Sequence, residues 1–345
     1  MSREYTVGIV GATGAVGQEF LRVLDERRFP IKELRLWATA SSAGRQIAFR
    51  GAAHTVRTLD GDAFQGADFV FISASGSVSK ATAPQVAAAG GLAIDDSSAF
   101  RYEDWVPLVV PEVNADDCAW HRGIISTPNC STTQMVLPLA ALHAANPIQR
   151  VIVDTYQAVS GWGGRAIAQL RDQTGAVSRG EAPSVDPAVF AHPIAFNLIP
   201  EIDAARDDGY TKEEWKMAVE TRKILHAPEL RISATCVRVP VYRAHSEAVH
   251  LELRAPMDAA EARAILSDVP GVKVVDDLAT HQYPTPVAAE GNDTIWVGRI
   301  RRDMSHPNGL ALWIVSDNLR KGAATNSVQI AETVAANGWF KGRRG

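Results

Sequence analysis

A glycine-rich turn lies between the first apolar run and the first helix-like run of the chain. Residues 5–17 read YTVGIVGATGAVG, and a pattern typical of a helix continues over residues 16–26. Glycines at Gly11, Gly14 and Gly17 let a strand turn sharply into a helix, and they let backbone N–H groups approach a pyrophosphate at the positive helix end. The spacing is GxxGxxG, not the strict GxGxxG, so a glycine turn without a ligand is the alternative. The feature predicts a parallel sheet that begins with a nucleotide-binding strand, turn and helix.

The rest of the chain divides into two patterns. Strand-like and helix-like segments alternate through the first 130 residues or so, which predicts an α/β domain with a doubly wound, Rossmann-type parallel sheet. Later segments, at residues 151–158, 231–242, 247–253, 293–301 and 310–316, read as strands with few helices between them, which indicates an α+β domain with a mainly antiparallel sheet. We expect the helical segment 323–337 to pack back on the first domain. The predicted domains are therefore residues 1–129 with 318–345, and residues 130–317.

Composition excludes several classes of protein. A length of 345 residues suits about two domains, and a net charge of −4 with scattered cations gives no basic surface for nucleic acid. No apolar run approaches the ~20 residues of a membrane helix, and the first strand begins too early for a signal peptide. The three cysteines, Cys118, Cys130 and Cys236, are far apart and lack CxxC spacing. We therefore expect a cytoplasmic protein with no disulfide framework and no metal.

Cys130 lies in the sequence TPNCSTTQ, between a short apolar run and a longer one. A helix that begins at this cysteine would present unpaired N–H groups to the sulfur, which favours the reactive thiolate and can hold an oxyanion. Asn129 adds an amide donor. The alternative is a small core residue beside a turn. Cys118 and Cys236 lack such surroundings, and we interpret them as structural.

A nucleophilic cysteine needs a base, and His245 is the candidate because it lies at a break between two strand-like runs. In one straight strand Arg238 would face away from it, so both reach one site only if the chain turns just before His245. Glu220 and Lys223 share a helix face and would ordinarily form a surface ion pair. Arg101 follows the carboxyl end of a strand, where open α/β sheets bind ligands, although most such arginines are only solvated.

The residues at the end of the second predicted strand help to distinguish NADP from NAD. Residues 37–45 read WATASSAGR, with no acid to accept from ribose hydroxyls but with hydroxyl side chains and a nearby cation. This composition favours NADP over NAD. A polar surface loop is the alternative.

Ten segments in order resemble the aspartate-β-semialdehyde dehydrogenases of the glyceraldehyde-3-phosphate dehydrogenase superfamily. They are GIVGATGAVG, DDSSAFR, VPEVN, TPNCSTTQ, YQAVSG, PIAFN, ETRKIL, CVRVPV with HSEAV, VGRIRRD and DNLRKGAA. The resemblance implies reduction of L-aspartyl 4-phosphate to the semialdehyde with NADPH, on the route to lysine or diaminopimelate, threonine, methionine and isoleucine. It also implies an NADP-binding first domain, and a catalytic second domain that forms a homodimer or a dimer of dimers.

The resemblance implies a role for individual residues as well. Cys130 would be the acylated nucleophile, His245 the general acid/base and Gln157 a residue that orients the substrate. Other residues would bind the substrate, namely Arg238 at the α-carboxylate, Glu220 at the α-ammonium, and Arg101, Asn129 and Lys223 at the phosphate. The positions that would line NADP are Gly11, Thr13, Gly14, Ala15, Val16, Ser41, Ser42, Ser160, Gly161 and Asn318.

Two positions depart from the family pattern. Many relatives carry arginine where this chain has Ser41, and Arg45 is the candidate substitute for that cation. The usual glycine before the catalytic histidine is Ala244, which is tolerated if its φ is negative.

Three rival interpretations stay open. One is N-acetyl-γ-glutamyl-phosphate reductase, whose cysteine setting resembles NPGCYP rather than TPNCSTT. The others are a malonyl-thioester reductase and a catalytically inactive, nucleotide-binding paralogue.

Overall fold

The first strand and the glycine turn form as the sequence predicts. In the computed structural model, which describes residues 3–340, the apolar strand β1 (Tyr5–Val10) is buried along its whole length. Helix α1 (Ala15–Glu26) follows the turn and buries Phe20 and Leu24 against the sheet core. A strand buried on both faces is typical of a parallel sheet covered by helices.

One compact unit comprises the described residues up to Asn129 together with those from Ala323 onward. Its remaining elements up to Asn129 are β2 (Ile31–Trp37), β3 (Gln46–Phe49), β4 (Ala52–Arg57), β5 (Phe69–Ile72), α2 (Gly76–Ala88), β6 (Leu92–Asp95), α3 (Pro111–Asn114) and β7 (Ile124–Ser126). The sheet has the order β3-β4-β2-β1-β5-β6-β7 and is parallel except for the β3–β4 pair. The predicted doubly wound sheet is therefore confirmed.

The second unit spans Cys130–Gly322. Its elements are α4 (Cys130–Ala145), β8 (Ile148–Gln157), α5 (Gly164–Ser178), α6 (Lys212–Ile224), β9 (Arg231–Arg238), β10 (His245–Leu253), α7 (Ala259–Ser267), β11 (Val272–Val274), α8 (Pro286–Ala289), β12 (Ile295–Arg302) and β13 (Gly309–Ser316). The sheet order is β11-β12-β13-β10-β8-β9. Pairs β12–β13, β13–β10 and β10–β8 are antiparallel, and the outer pairs β11–β12 and β8–β9 are parallel. The sheet is thus mixed around an antiparallel centre.

Helices cover one face of this second sheet. Burial alternates along β10, with His245, Glu247, Val249 and Leu251 all buried on one face. Helix α4 contacts strands β8, β10 and β13 of the sheet, and it also packs against helices α6 and α7. It continues through Pro138 without a break, so this proline does not end the helix.

The last helix, α9 (Thr325–Asn337), belongs to the first unit. It contacts α1, α3 and β6, and Val328, Ile330 and Val334 enter the same apolar core as Phe20. The expected packing of this segment on the first domain is confirmed. Residues 318–322, which the sequence analysis assigned to the first domain, belong to the second compact unit.

Among residues 3–340, no helix combines the length and the apolar character that crossing a membrane requires.

Candidate active site

The glycine turn packs stretches of backbone closer together than any side chain would allow. Gly11 has a φ of +86°, and a Cβ there would lie 2.0 Å from the backbone oxygen of Ser73. A Cβ on Gly17 would lie 2.2 Å from the oxygen of Gly11. Helix α1 begins at Ala15 without a side-chain cap from Gly14 and without an acid in its first turn. The turn therefore fits a nucleotide phosphate, since its first N–H groups are not used by a capping side chain.

Hydroxyl side chains gather beside this turn at the end of β2. The Thr13 hydroxyl donates to Ser42 Oγ at 3.3 Å, and Thr39 Oγ1 lies 2.9 Å from Ser41 Oγ. Ser41 and Arg45 are exposed. The hydroxyl groups of this loop are thus close to the glycine turn within the same unit.

Arg101 lies at the carboxyl ends of β6 and β7, and it is not the solvated arginine that the sequence analysis gave as the alternative. It is buried, and its Nη2 donates to the backbone oxygen of Asp96 at 2.8 Å. The Thr127 hydroxyl donates to Asp96 Oδ1 at 2.9 Å. Burial raises the pKa of Asp96 to about 7, although the Arg101 charge opposes this. Asn129 follows in the same unit and is also buried.

Cys130 is the first residue of α4, as the sequence analysis predicts. It is half-buried, whereas Cys118 and Cys236 are buried. Burial raises the pKa of the Cys118 thiol to about 12, and it raises that of Cys236 well above its ordinary value. Both remain thiols near neutral pH, so Cys130 is the cysteine whose position suits a nucleophile.

Strand pairing brings three candidate side chains to one edge of the second sheet. Parallel strands β8 and β9 end together, with Gln157 opposite Arg238. Strand β10 runs antiparallel to β8 with Ser246 opposite Tyr156, so its first residue, His245, lies at that same edge. The turn expected before His245 is present, because β9 ends at Arg238 and β10 is a separate strand.

The backbone of Ala158 holds both Arg238 and His245. Arg238 Nη1 donates to the Ala158 oxygen at 2.7 Å, and the Ala158 N–H donates to His245 Nδ1 at 2.9 Å. A Cβ on Gly161 would lie 3.0 Å from Arg238 Nη1 and 3.3 Å from His245 Nε2, so both side chains border this glycine. Burial lowers the pKa of Arg238, and it lowers that of His245 well below 6.5 with help from the Arg238 charge.

A buried hydrogen-bond chain orients Gln157. Its Nε2 donates to Ser131 Oγ and, at 3.1 Å, to Glu213 Oε1. Lys216 Nζ donates to Glu213 Oε2 at 3.1 Å and to Asp203 Oδ2 at 2.6 Å. With both amide hydrogens engaged, the Gln157 carbonyl oxygen is the part of the amide left to accept from a ligand.

Helix α6 positions these carboxylates and two further candidates. A capping box, formed by Thr211 and Glu214, fixes where the helix begins. Glu220 is buried and Lys223 is half-buried on this helix. A surface ion pair is therefore the wrong description of Glu220, whose burial suits a role in a site.

Asn318 connects two candidate positions near His245. Its Oδ1 accepts from the Ser160 hydroxyl at 3.0 Å and from the Ala244 N–H at 3.1 Å. The φ of Ala244 is +70°, not negative as the sequence analysis required. The bond to Asn318 and the start of β10 hold this residue in the left-handed region, which ordinarily favours glycine.

Two family models cover most of the chain. Residues 6–121 match the NAD-binding domain of semialdehyde dehydrogenases, and residues 139–321 match their dimerisation domain. An aspartate-semialdehyde dehydrogenase of Aquifex aeolicus is 50% identical over 338 residues, which are 97% of this chain and 99% of that protein. One of Legionella pneumophila is 51% identical over 335 residues, 96% of each chain.

The chain belongs to the aspartate-semialdehyde dehydrogenase family.

A solved structure agrees with this membership. Aspartate semialdehyde dehydrogenase II of Vibrio cholerae, complexed with ASA, has a TM-score of 0.95 and 44% identity, and the match covers 97% of this chain and 99% of that one. Members of the aspartate-semialdehyde dehydrogenase family are oxidoreductases, and this chain has the NAD(P)-binding and dimerisation domains of the family.

Several residues near the candidate site of this dehydrogenase chain were not predicted from the sequence. Glu213 contacts the candidate Gln157 across 56 residues of sequence, and Asp203 is linked to Glu213 only through Lys216, so no local pattern marks them. Glu247 is two residues beyond His245 on the same buried strand face, and period-two spacing could have identified it. Burial raises the pKa of Glu247 well above 4.5, and the neighbouring Gln134 side chain opposes that rise.

Proposed function

We propose that this chain catalyses the NADPH-dependent reduction of L-aspartyl 4-phosphate to L-aspartate 4-semialdehyde, with release of phosphate. The product leads to lysine or diaminopimelate, threonine, methionine and isoleucine. One observation carries the proposal: a cysteine that begins a buried helix belongs to the same compact unit as Arg238 and His245, which border one glycine. The residue after Cys130, Ser131, accepts a hydrogen bond from Gln157, which lies opposite Arg238 in the sheet.

The proposed chemistry begins at sulfur. The Cys130 thiolate attacks the acyl phosphate carbonyl, phosphate leaves, and a thioester remains. Arg238 binds the α-carboxylate with its guanidinium, a fork that suits a carboxylate. His245 acts on the oxygen of the reacting carbonyl, and the Gln157 amide orients the substrate.

The remaining substrate contacts follow from charge. We assign Glu220 to the α-ammonium group, and Arg101, Asn129 and Lys223 to the phosphate. An acid for the free ammonium is the feature that favours this substrate over an N-acylated one. The rival N-acetyl-γ-glutamyl-phosphate reductase therefore remains less well supported.

NADP is the nucleotide we propose. Gly11, Gly14 and the first turn of α1, from Ala15 and Val16, would hold its pyrophosphate, and Thr13, Ser41 and Ser42 supply hydroxyls for the 2′-phosphate. Ser160, Gly161 and Asn318 are further candidates to line it. When bound, the nicotinamide supplies the hydride that reduces the thioester.

We also propose that the chain assembles as a homodimer or a dimer of dimers in the cytoplasm. The match of residues 139–321 to a dimerisation domain supports association, and cysteines that form no disulfide among the described residues suit a reducing compartment.

The decisive assay runs the reaction in reverse. Purified chain is given aspartate semialdehyde and phosphate with NADP⁺ or NAD⁺, and reduced nucleotide is followed by absorbance. We expect phosphate-dependent turnover, faster with NADP⁺, and its loss in Cys130→Ser while nucleotide binding persists. Phosphate-independent turnover, or full activity of Cys130→Ser, would reject the proposal.

A further inference from the structure

The first turn of helix α6 lies against the end of strand β9. Glu214 Oε1 accepts a hydrogen bond from the Cys236 N–H at 3.0 Å, two residues before Arg238 on that strand. The preceding helix residue, Glu213, is buried, and its Oε1 accepts from Gln157 Nε2 at 3.1 Å. Gln157 in turn lies opposite Arg238 in the sheet. A buried carboxylate is therefore placed near the guanidinium of Arg238.

The charge of Glu213 acts on Arg238. Arg238 is 4% exposed, and burial lowers its pKa. Among the charges that oppose this change, that of Glu213 is the strongest. A carboxylate beside a buried guanidinium ordinarily pairs with it through a two-bond fork. Arg238 can therefore bind the carboxylate of a ligand only while Glu213 is bound elsewhere.

Lys216 binds the second oxygen of Glu213. Its Nζ donates to Glu213 Oε2 at 3.1 Å and to Asp203 Oδ2 at 2.6 Å. The Lys216 side chain is only 14% exposed, so solvent ions screen these charges little. Asp203 and Arg238 also line one cavity, of about 340 Å³. The three charges of Glu213, Lys216 and Asp203 thus form an ion network beside the cavity that Arg238 lines.

We propose that Lys216 is a positioning residue that keeps Glu213 from pairing with Arg238, so that the guanidinium is available for the α-carboxylate of the substrate. Asp203 anchors Lys216 in this role. The inference rests on the proposed function, in which Arg238 binds that carboxylate.

Loss of Lys216 would leave Glu213 Oε2 buried with its charge uncompensated, which is a costly arrangement. Rotation of Oε2 toward Arg238 relieves that cost, and the guanidinium is then occupied when the substrate arrives. Glu213 Oε1 stays bonded to Gln157 meanwhile, so the orientation of Gln157 is retained. The expected defect is therefore in substrate binding rather than in the chemical steps.

Steady-state kinetics of Lys216→Met test this role. The full chain is assayed in reverse, with aspartate semialdehyde, phosphate and NADP⁺ each varied in turn. We expect the KM for aspartate semialdehyde to rise about 10–100-fold, the usual effect of a lost hydrogen bond to a charged group. We expect kcat and the KM values for phosphate and NADP⁺ to change by less than about threefold, because only binding of the semialdehyde uses Arg238.

Two further lysine variants are the controls. Lys212 is exposed on the same helix, so Lys212→Met removes an equal charge without touching the network and should keep the parent kinetics. Lys216→Arg keeps the charge beside Glu213, and it should recover most of the affinity for aspartate semialdehyde.

A double variant tests whether Glu213 is the competitor. Glu213→Gln removes the charge that would pair with Arg238 but keeps an oxygen that can accept from Gln157. We expect the KM for aspartate semialdehyde in the double variant Glu213→Gln, Lys216→Met to lie within about threefold of that in Glu213→Gln alone. If Lys216 only stabilised the fold, the effects of the two changes would add.

Asp203→Asn tests the anchor, and it serves if Lys216→Met does not fold. The Asp203 side chain is 30% exposed, so this variant is the milder one. We expect a rise of about 2–5-fold in the same KM, the effect of a partly exposed ion pair. Nucleotide binding and cooperative urea unfolding report that each variant is folded.

The outcomes separate the two proposals. The role of Lys216 would be overturned by a parent KM for aspartate semialdehyde in folded Lys216→Met or in Asp203→Asn, by an equal rise in all three KM values, or by additive losses in the double variant. The same rise in Lys212→Met would overturn it as well. Absence of phosphate-dependent turnover in the unaltered chain would instead overturn the proposed function.

Discussion

Replacement of Ala244 by glycine tests whether a strained backbone precedes His245. Ala244 has a φ of +70° and no exposed surface. Its methyl group packs in a small apolar cluster with Ala289 and Val315. The change therefore relieves the backbone and removes buried packing at the same time.

The two effects nearly cancel. A left-handed conformation costs an L-residue about 1–2 kcal/mol, which glycine recovers. Against this, glycine loses about 0.5–1 kcal/mol more backbone entropy on folding than alanine. The lost burial of one methyl group costs about 0.8 kcal/mol. We expect Ala244→Gly to leave the free energy of unfolding within about 1 kcal/mol of the parent value.

Arg28→Gly is the matched control. Arg28 also has a positive φ, +51°, but its side chain is exposed, so glycine there relieves the backbone without loss of packing. Its N–H bond to the Asp25 oxygen, 2.9 Å long, is unaffected by the side chain. We expect Arg28→Gly to stabilise its unit by about 0.5–1 kcal/mol.

Urea unfolding measures the change in the free energy of unfolding for both variants. Each change is read at the transition of the unit that carries the variant. If Ala244→Gly lowers the free energy of unfolding by more than about 2 kcal/mol, the backbone strain inferred at this position is wrong. If it stabilises as much as Arg28→Gly, the methyl packing inferred from the cluster is wrong.

Two further predictions concern residues near the nucleophile and the base. Burial raises the pKa of Glu247, so its stabilising contribution is present below the unfolded pKa of about 4.3 and is lost as pH rises toward the folded pKa. Glu247→Gln should therefore gain Tm over the parent as pH rises from 5 to 8 in differential scanning fluorimetry, and a constant difference would contradict this. A Cβ on Gly322 would lie 2.9 Å from Cys130 Cβ, so Gly322→Ala should lower kcat by up to about 10²-fold through displacement of the nucleophile. Gly164→Ala, where a Cβ meets nothing within 4 Å, is the control, and equal kcat in the two variants would exclude the displacement.

Local sequence patterns predicted the elements that carry uninterrupted apolar runs. Strand β1 precedes the glycine turn as the sequence predicts, and α9 packs on the first domain as expected. The edge pair β3–β4 was missed because most of its residues are exposed and its apolar residues do not alternate regularly with polar ones. Helix α5 was missed because its segment is rich in glycine, polar and charged residues rather than in a regular apolar stripe.

For the candidate site, too, local features were predicted from the sequence, whereas contacts between distant segments were not. The sequence alone predicted the type of chemistry, since a cysteine at a helix start, a histidine at a strand break and a glycine turn are each local features. It could not predict that the Ala158 N–H donates to His245 Nδ1, because the two residues are 87 positions apart along the chain.

Only the tertiary structure decided how these groups are held. The chain from Gln157 through Glu213 and Lys216 to Asp203 joins strand, helix and loop, and the positive φ of Ala244 is held in place by Asn318. Hydrogen bonds between distant segments depend on strand register and helix packing, which one residue's neighbours in sequence do not encode. The physical reason is that local spacing decides which side chains share a face, whereas the fold decides which atoms meet there.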